Sequence, residues 1–435
     1  MESVIRPQRE IPILARTEVL VVGSGPAGIA AAVASARTGA KTMLAERYGC
    51  FGGALAVGQV ESYNWYFNEE TCTAGGIVAE IEQRMVRMQG VQRDDRGTGH
   101  FLNPEIYKIM LDRWVKEENI TPLLHALAVD VIREGDAVKG VVFESKSGCG
   151  AVLADCVIDA TGDGDVAVRA GAGYEMGDKD RRDVLPVTMV FGVNGVDVQA
   201  FRDHIKAHKE LITPETHGLG HLFRQARRDG KWPYESEGGA WKTLTPSGEF
   251  TSMNITREFR IDGTDVWDLT KAEMDGRQQV LDAIEVLREY GADMGFAHCG
   301  LRSFAFQIGI RETRRILCDY MISQADVLGE AQFADSVGVF TRFVDGEVIA
   351  HDSRHFQIPY RCILPAGIDG LLVAGRCVGC RQDAIQTMRM MVCCASTGQA
   401  AGTAAALAVK GQKAPRALEV SKLQEALVEK GVRLS

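Results

Sequence analysis

The first eighteen residues carry no apolar signal core, and the hydrophobic run that follows, residues 19–22, is too short to cross a bilayer. Cytoplasmic residence is the expectation. Positive charge is not in excess either: 49 Lys and Arg against 58 Asp and Glu leave a net charge of −9, so nucleic acid and anionic membranes find no basic surface. Eleven cysteines, an odd number scattered along the chain, make no disulfide framework and fit reduced thiols. Histidines number only nine, and neither an internal repeat nor a low-complexity tract is present. What is left, 435 residues with 46% apolar and 25% charged, is an ordinary globular composition with room for two domains.

What is present begins at residues 19–28, an apolar strand running into Gly23, Gly25 and Gly28 with Pro26 and Ala27 between the last two. Three glycines at this spacing permit a tight turn, a close backbone approach to a pyrophosphate, and close packing of the helix that follows, whose N-terminus faces the phosphates. A second strand, residues 41–45, ends at Glu46, eighteen residues after Gly28, where a carboxylate can accept hydrogen bonds from ribose hydroxyls. Arg47 suggests a 2′-phosphate, but the adjacent acid repels one, which leaves FAD or NAD. Near the far end Gly398 and Gly402 flank Gln399, Ala400 and Ala401, so the two ends of the chain are expected to build one dinucleotide site.

The periodicity predicts an amphipathic helix over 104–118, with Ile106, Ile109, Met110, Leu111 and Trp114 near one face. Strands over 123–132, 138–143 and 156–160 then return to the main sheet and run into Thr161, Gly162 and Asp163. Mixed strands, a helix over 269–290 and aromatic loops mark an inserted domain. Sheet-like sequence resumes at 358–364 and 371–374, an alanine-rich helix follows Gly398, and a packing helix closes the chain. The division is 1–176 and 346–413 for a dinucleotide-binding α/β domain, 177–345 for an α+β substrate or cap domain, and 414–435 for the terminal helix.

Taken together, the first glycine motif, residues 46–54, residues 157–165, 309–316, 358–361, 371–376 and 398–402 resemble the FAD-dependent oxidoreductase family. The resemblance is to its glutathione-reductase-like flavoproteins, distantly related to fumarate reductase flavoprotein subunits. It implies a Rossmann-type domain with Gly23, Gly25 and Gly28 at the FAD pyrophosphate, Glu46 at the adenosine ribose and the Val129 backbone at the adenine. Gly52, Gly53 and Ala54 lie along the flavin, Thr161, Gly162 and Asp163 at the cofactor's middle, and Gly375 and Arg376 beside it. Gln399, Ala400 and Ala401 face the flavin pyrimidine edge, where a helix N-terminus stabilises the charge of reduced flavin.

Relatives often carry a His-Glu-Ala-His run where this chain has Gln382, Asp383, Ala384 and Ile385. Asp383 is therefore the candidate base there, and Arg389 a carboxylate clamp or oxyanion stabiliser, with binding of cofactor or buried carboxylates as the alternative for Arg376 and Arg389. Of His298, His351 and His355, the preferred acid or base is His351. Arg311, Arg314 and Arg315 with Glu312 read as an ion-pair network on a helix, with a substrate-anion role second. Cys377, Cys380, Cys393 and Cys394 read as structural thiols before a redox dithiol or a metal site. Trp65, Tyr66 and Phe67 are packing residues or a pocket wall.

No second glycine fingerprint appears, so a separate NAD(P)H domain is not expected. The expected reaction takes hydride from a C–OH or C–N centre of a small molecule onto flavin N5 and passes the electrons to dioxygen, a quinone or a redox protein. Reduction of an activated C=C, an NAD(P)H-using monooxygenase and a non-catalytic FAD-binding subunit stay open. So does the oligomeric state, a homo-oligomer included.

Overall fold

The computed structural model describes residues 10–64, 75–93, 99–177, 183–211, 218–236, 238, 240–341 and 354–435. Its main sheet is built from β1 (Ile13–Val22), β2 (Thr42–Ala45), β3 (Thr121–Leu123), β4 (Leu127–Glu134), β5 (Ala137–Ser145), β6 (Gly148–Asp159) and β7 (Leu371–Val373). The order is β3-β2-β1-β6-β5-β4, and β7 also pairs with β6. Strands β3, β2, β1, β6 and β7 are parallel, while β4 and β5 return as an antiparallel pair. A single long strand does double duty: residues 148–153 of β6 pair with β5, and Val157, Ile158 and Asp159 pair with β7. The central strands are apolar without alternation because helices cover both faces; Val19, Leu20, Val157 and Leu372 are wholly buried.

Helix α1 (Pro26–Arg37) packs against a long helix near the C-terminus, Met391–Lys410. The latter begins about two turns before Gly398, so the expected helix start at Gly398 is corrected. Gly398 and Gly402 lie inside the helix as a contact surface, where a Cβ would fall 2.1 Å from the carbonyl oxygens of Ala27 and Ala31. By length and composition this helix could cross a membrane, but 89% of its apolar window is buried in the fold. Replacing Gly402 with alanine is expected to push the helices apart and cost about 1–3 kcal/mol, lowering the melting temperature equally with and without flavin.

A second core lies in the insert. Its antiparallel sheet runs in the order 240–241, 250–254, 191–194, 300–304, backed by the helix Val266–Tyr290. Phe201 sits at its centre, edge-on to Phe250 at 5.1 Å and to Trp241 at 5.4 Å. This core spans Val187 to Ile308, whereas Ile316, Cys318, Ile322, Val337 and Phe340 are buried in the first one. The expected boundary at 345 is therefore too late, because Arg315–Ile316 pairs with Tyr174–Glu175 and carries the chain back.

Smaller differences have local causes. The helix Pro104–Glu117 buries Tyr107 and Val115 with Met110, Leu111 and Trp114, and leaves Ile109 49% exposed. The strand expected over 358–364 is His355–Pro359, after which the chain turns through Tyr360–Ile363.

Candidate functional site

The carboxyl ends of the parallel strands open onto a cavity of about 640 Å³ whose far wall comes from the insert. Gly23, at φ +93°, turns the chain out of β1, and a Cβ there would meet the Ala160 carbonyl oxygen at 2.4 Å. Gly28 is constrained by packing alone, since its Cβ would lie 1.8 Å from the Gly23 oxygen. Gly25 differs: the nearest atom to a Cβ is the Gly53 Cα at 3.9 Å, and the residue lines the cavity. It leaves space for a ligand at the start of α1, whose first turn has Pro26 and Ala27 in the cavity wall and no side-chain cap.

Glu46 is buried and fixed. Ser24 donates to its Oε2 through the backbone N–H (2.9 Å) and the hydroxyl (2.6 Å), and the Tyr48 N–H donates to Oε1 (3.1 Å). One carboxylate thus braces the glycine turn and lines the cavity. Arg47 lies in the same wall, its guanidinium 4.8 Å from the Tyr48 ring centroid. Gly53 and Ala54 line the cavity; Gly52, at φ +117°, makes the turn before them.

Asp159 ends β6 wholly buried, accepting from the Thr161 N–H (3.0 Å), the Thr161 hydroxyl (2.7 Å) and the Ala167 N–H (2.8 Å). It shapes the turn that presents Thr161, Gly162 and Asp163 to the cavity. Burial raises the Asp163 pKa, but Arg376 and then Arg47 outweigh it and hold the carboxyl below its usual range. Arg376 donates to Asp163 Oδ1 at 2.6 Å and to the Thr313 hydroxyl at 2.9 Å. Gly375 precedes it at φ +85°, also in the wall.

Other expected residues fall elsewhere. Val129 sits at a bulge of β4 with its carbonyl accepting from Arg169 Nε (2.9 Å), and the wall is formed by Ala126, Leu127 and Ala128. Gln399, Ala400 and Ala401 are buried inside the long helix, and Gln399 Oε1 accepts from the Ile77 N–H at 2.8 Å. The helix start at Met391 is what reaches the cavity, with Arg389, Met390 and Cys394 beside it. Asp383 is exposed and outside the wall, accepting from the Gln324 N–H at 3.2 Å. His298 is exposed, His355 lies on a strand away from the cavity, and His351, Trp65, Tyr66 and Phe67 lie outside the described residues. Asp383→Asn is expected to leave the rate of flavin reduction within about threefold of wild type, because an exposed carboxylate away from the reacting atoms is not placed to move their protons.

Residues 309–316 carry no helix: Gly309 bridges to Thr188, and Arg315–Ile316 is a short strand. Arg315 is buried in an ion pair with Glu312, Arg314 pairs with Asp165, and Arg311 alone of the three reaches the cavity. The described cysteines are free, and among the described residues no cluster of three or more His, Cys, Asp or Glu could hold a metal ion. Burial pushes the Cys380 thiol up to about 12 and Cys377 well above its ordinary value, so neither is a thiolate at neutral pH. Cys380→Ser is expected to leave flavin reduction unchanged, and native protein to leave Cys377 and Cys380 unlabelled by a thiol reagent.

Sequence reasoning missed Glu61 and the insert threonines that hold it. Glu61, 4% exposed, lines the cavity and accepts from the hydroxyls of Thr251 (2.8 Å) and Thr243 (3.0 Å), both on Oε2. Burial outweighs those bonds and pushes its carboxyl up to about 7. No local motif marks it. Its partners are 182 and 190 residues away in sequence and meet it only through the packing of the two domains.

The dinucleotide reading is met by comparisons with known proteins. A family model described as FAD dependent oxidoreductase matches residues 18–427. No curated protein matches the chain. Among solved structures it is similar to a geranylgeranyl bacteriochlorophyll reductase-like protein of Thermoplasma acidophilum, at 14% identity over 97% of this chain and 85% of that one, TM-score 0.45. It is also similar to p-nitrophenol 4-monooxygenase of Pseudomonas putida, at 9% identity over 96% and 85%, TM-score 0.48. A third similarity is to a myxobacterial chondrochloren halogenase, at 12% identity over 95% and 78%, TM-score 0.45. At these identities and scores the three assign no chemistry. The family match is of another kind: it runs from within β1 to the final helix across both walls of the cavity, and the chain therefore belongs to the FAD-dependent oxidoreductase family, an enzyme with FAD as its cofactor.

Proposed function

We propose that this enzyme dehydrogenates a small organic molecule at a C–OH or C–N centre bound between FAD and the wall of the insert. The fit of the cofactor rests on Gly25, whose missing side chain leaves the space that a phosphate group would fill at the start of α1. In this reading Glu46 and Ala128 attend the adenosine half, Thr161 to Asp163 with Arg376 the middle, and Gly53, Ala54 and the helix start at Met391 the flavin. FAD, when bound, supplies the hydride acceptor.

The observation that carries the reading is Glu61. Removing hydride from a carbon bearing OH or NH also requires removal of a proton, and an acceptor with a pKa near the working pH does this best. Glu61 is a buried carboxyl in the cavity with a pKa of about 7, ionised on the alkaline side of that value. Both threonines hold Oε2, which fixes the carboxyl plane. Asp383, outside the cavity wall, is not placed for this role. The same reading keeps the glutathione-reductase-like fold class, supported by the parallel sheet with its antiparallel return and insert.

The test is to incubate flavin-loaded enzyme with panels of alcohols and amines and trap the products with a carbonyl reagent. A carbonyl or imine product two hydrogens lighter than its substrate supports the proposal. A product that instead gains two hydrogens or an oxygen atom overturns it.

A further inference from the structure

Three hydroxyls of the insert reach across to the short segment that carries Glu61. Ser252 donates to the Gln59 carbonyl at 3.1 Å and braces a residue held at φ +51°, and the Leu102 N–H donates to the Glu61 carbonyl at 2.8 Å. Thr243 and Thr251 stand beside each other, joined by a bond from the Thr251 N–H to the Thr243 carbonyl at 3.1 Å. Their hydroxyls converge on one atom, Oε2 of Glu61, at 3.0 and 2.8 Å. Lys242 and Arg302 add positive charge nearby, Arg302 lying 3.4 Å from Glu249, and both favour the ionised carboxyl.

A carboxylate oxygen has two in-plane lone pairs, and a hydroxyl has one hydrogen to give. Two hydroxyls that donate to Oε2 therefore fill it, and a proton arriving at Glu61 finds its place on Oε1. We propose that Thr243 and Thr251 are positioning residues that commit Oε2 and make Oε1 the oxygen on which Glu61 carries its proton. The proposal rests on the dehydrogenase reading for the source of that proton, and on the two hydroxyls alone for its place. Because both donors favour the carboxylate, the insert also sets where Glu61 ionises: without these hydroxyls the carboxyl keeps its proton to higher pH.

The test follows the C=O stretch of protonated Glu61 by infrared spectroscopy in FAD-loaded enzyme without substrate, the band being the one that Glu61→Gln removes. With the proton on Oε1 the carbonyl is Oε2, and its two donors lower the frequency; Thr243→Val and Thr251→Val are each expected to raise it. The pH midpoint at which the band disappears is expected to move upward from about 7, by about one pH unit per valine and about two in the double variant. Thr251→Ser keeps a hydroxyl and is expected to retain the wild-type frequency and midpoint. Should one valine variant fail to fold, the other removes a donor from the same oxygen and carries the same expectation. A frequency that valine does not move, a midpoint that stays in place, or a serine variant shifted as far as valine would each overturn the proposal. In the valine variants the pH profile of flavin reduction by an alcohol or amine is expected to move with the infrared midpoint. An infrared shift that the rate profile does not follow would remove Glu61 as the base and leave the positioning role standing.

Discussion

Gly25→Val is expected to give a folded protein that purifies without flavin. At φ −62° and ψ −177° the backbone of Gly25 suits any L residue, and nothing in the protein lies closer than 3.9 Å to a new Cβ. The added Cβ therefore meets nothing closer than ordinary contact among the described residues, and the side chain occupies the cavity where the cofactor must approach the start of α1. Overpacking of this kind, at about 2–3 kcal/mol, corresponds to roughly a 100-fold loss of FAD affinity. Gly28→Ala is the opposite case, because its Cβ would fall 1.8 Å from the Gly23 carbonyl oxygen and one backbone must move. Flavin content per protein and the melting temperature of the apoprotein separate the two: Gly25→Val changes the first and spares the second, Gly28→Ala changes both. Stoichiometric FAD in Gly25→Val would show that the ligand does not lie there.

Glu61→Gln is expected to slow flavin reduction by about 10²–10⁴-fold. Glutamine keeps the shape and an acceptor for Thr243 and Thr251 but cannot take a proton. Wild-type rates rise with pH through about 7, as the carboxylate forms, and level off above it; the variant loses that limb. Stability moves the other way. Because the folded pKa of about 7 lies above the ordinary 4.5, the folded state binds this proton more tightly than the unfolded chain. Its contribution is present below 4.5 and is lost as pH rises through 7, a change on the order of 3 kcal/mol. Melting of wild type and Glu61→Gln between pH 5 and 8 is expected to diverge by about that amount, with wild type falling relative to the variant. A flat difference across this range would remove Glu61 from the account.

The cradle was legible in the sequence because its determinants are local. Gly23 needs its positive φ, Gly28 needs its missing side chain, and Glu46 ends the next strand, all within one strand, turn and helix. Gly398 and Gly402 read in the sequence as the far end of the dinucleotide site, whereas what approaches them is the backbone of α1. The absence of helix at 309–316 was hidden by charges spaced as on a helix, whereas Gly309 exchanges backbone hydrogen bonds with Thr188 across 2.7 and 3.1 Å. Val129 lies at a bulge next to the cavity-lining Ala126, Leu127 and Ala128, a local irregularity that no sequence pattern records. The substrate wall was least legible of all. Glu61 acquires its partners Thr243 and Thr251 only where the insert packs against the cradle.

The central claim is that substrate itself, bound opposite the insert wall, reduces the flavin. Its most direct test is the anaerobic visible spectrum of the purified, FAD-loaded enzyme during titration with panels of alcohols and amines, with NAD(P)H and dithiols added separately. Loss of the oxidised-flavin band with an alcohol or amine, without either reductant, is the result expected. A band that bleaches only with NAD(P)H or dithiols would contradict the claim.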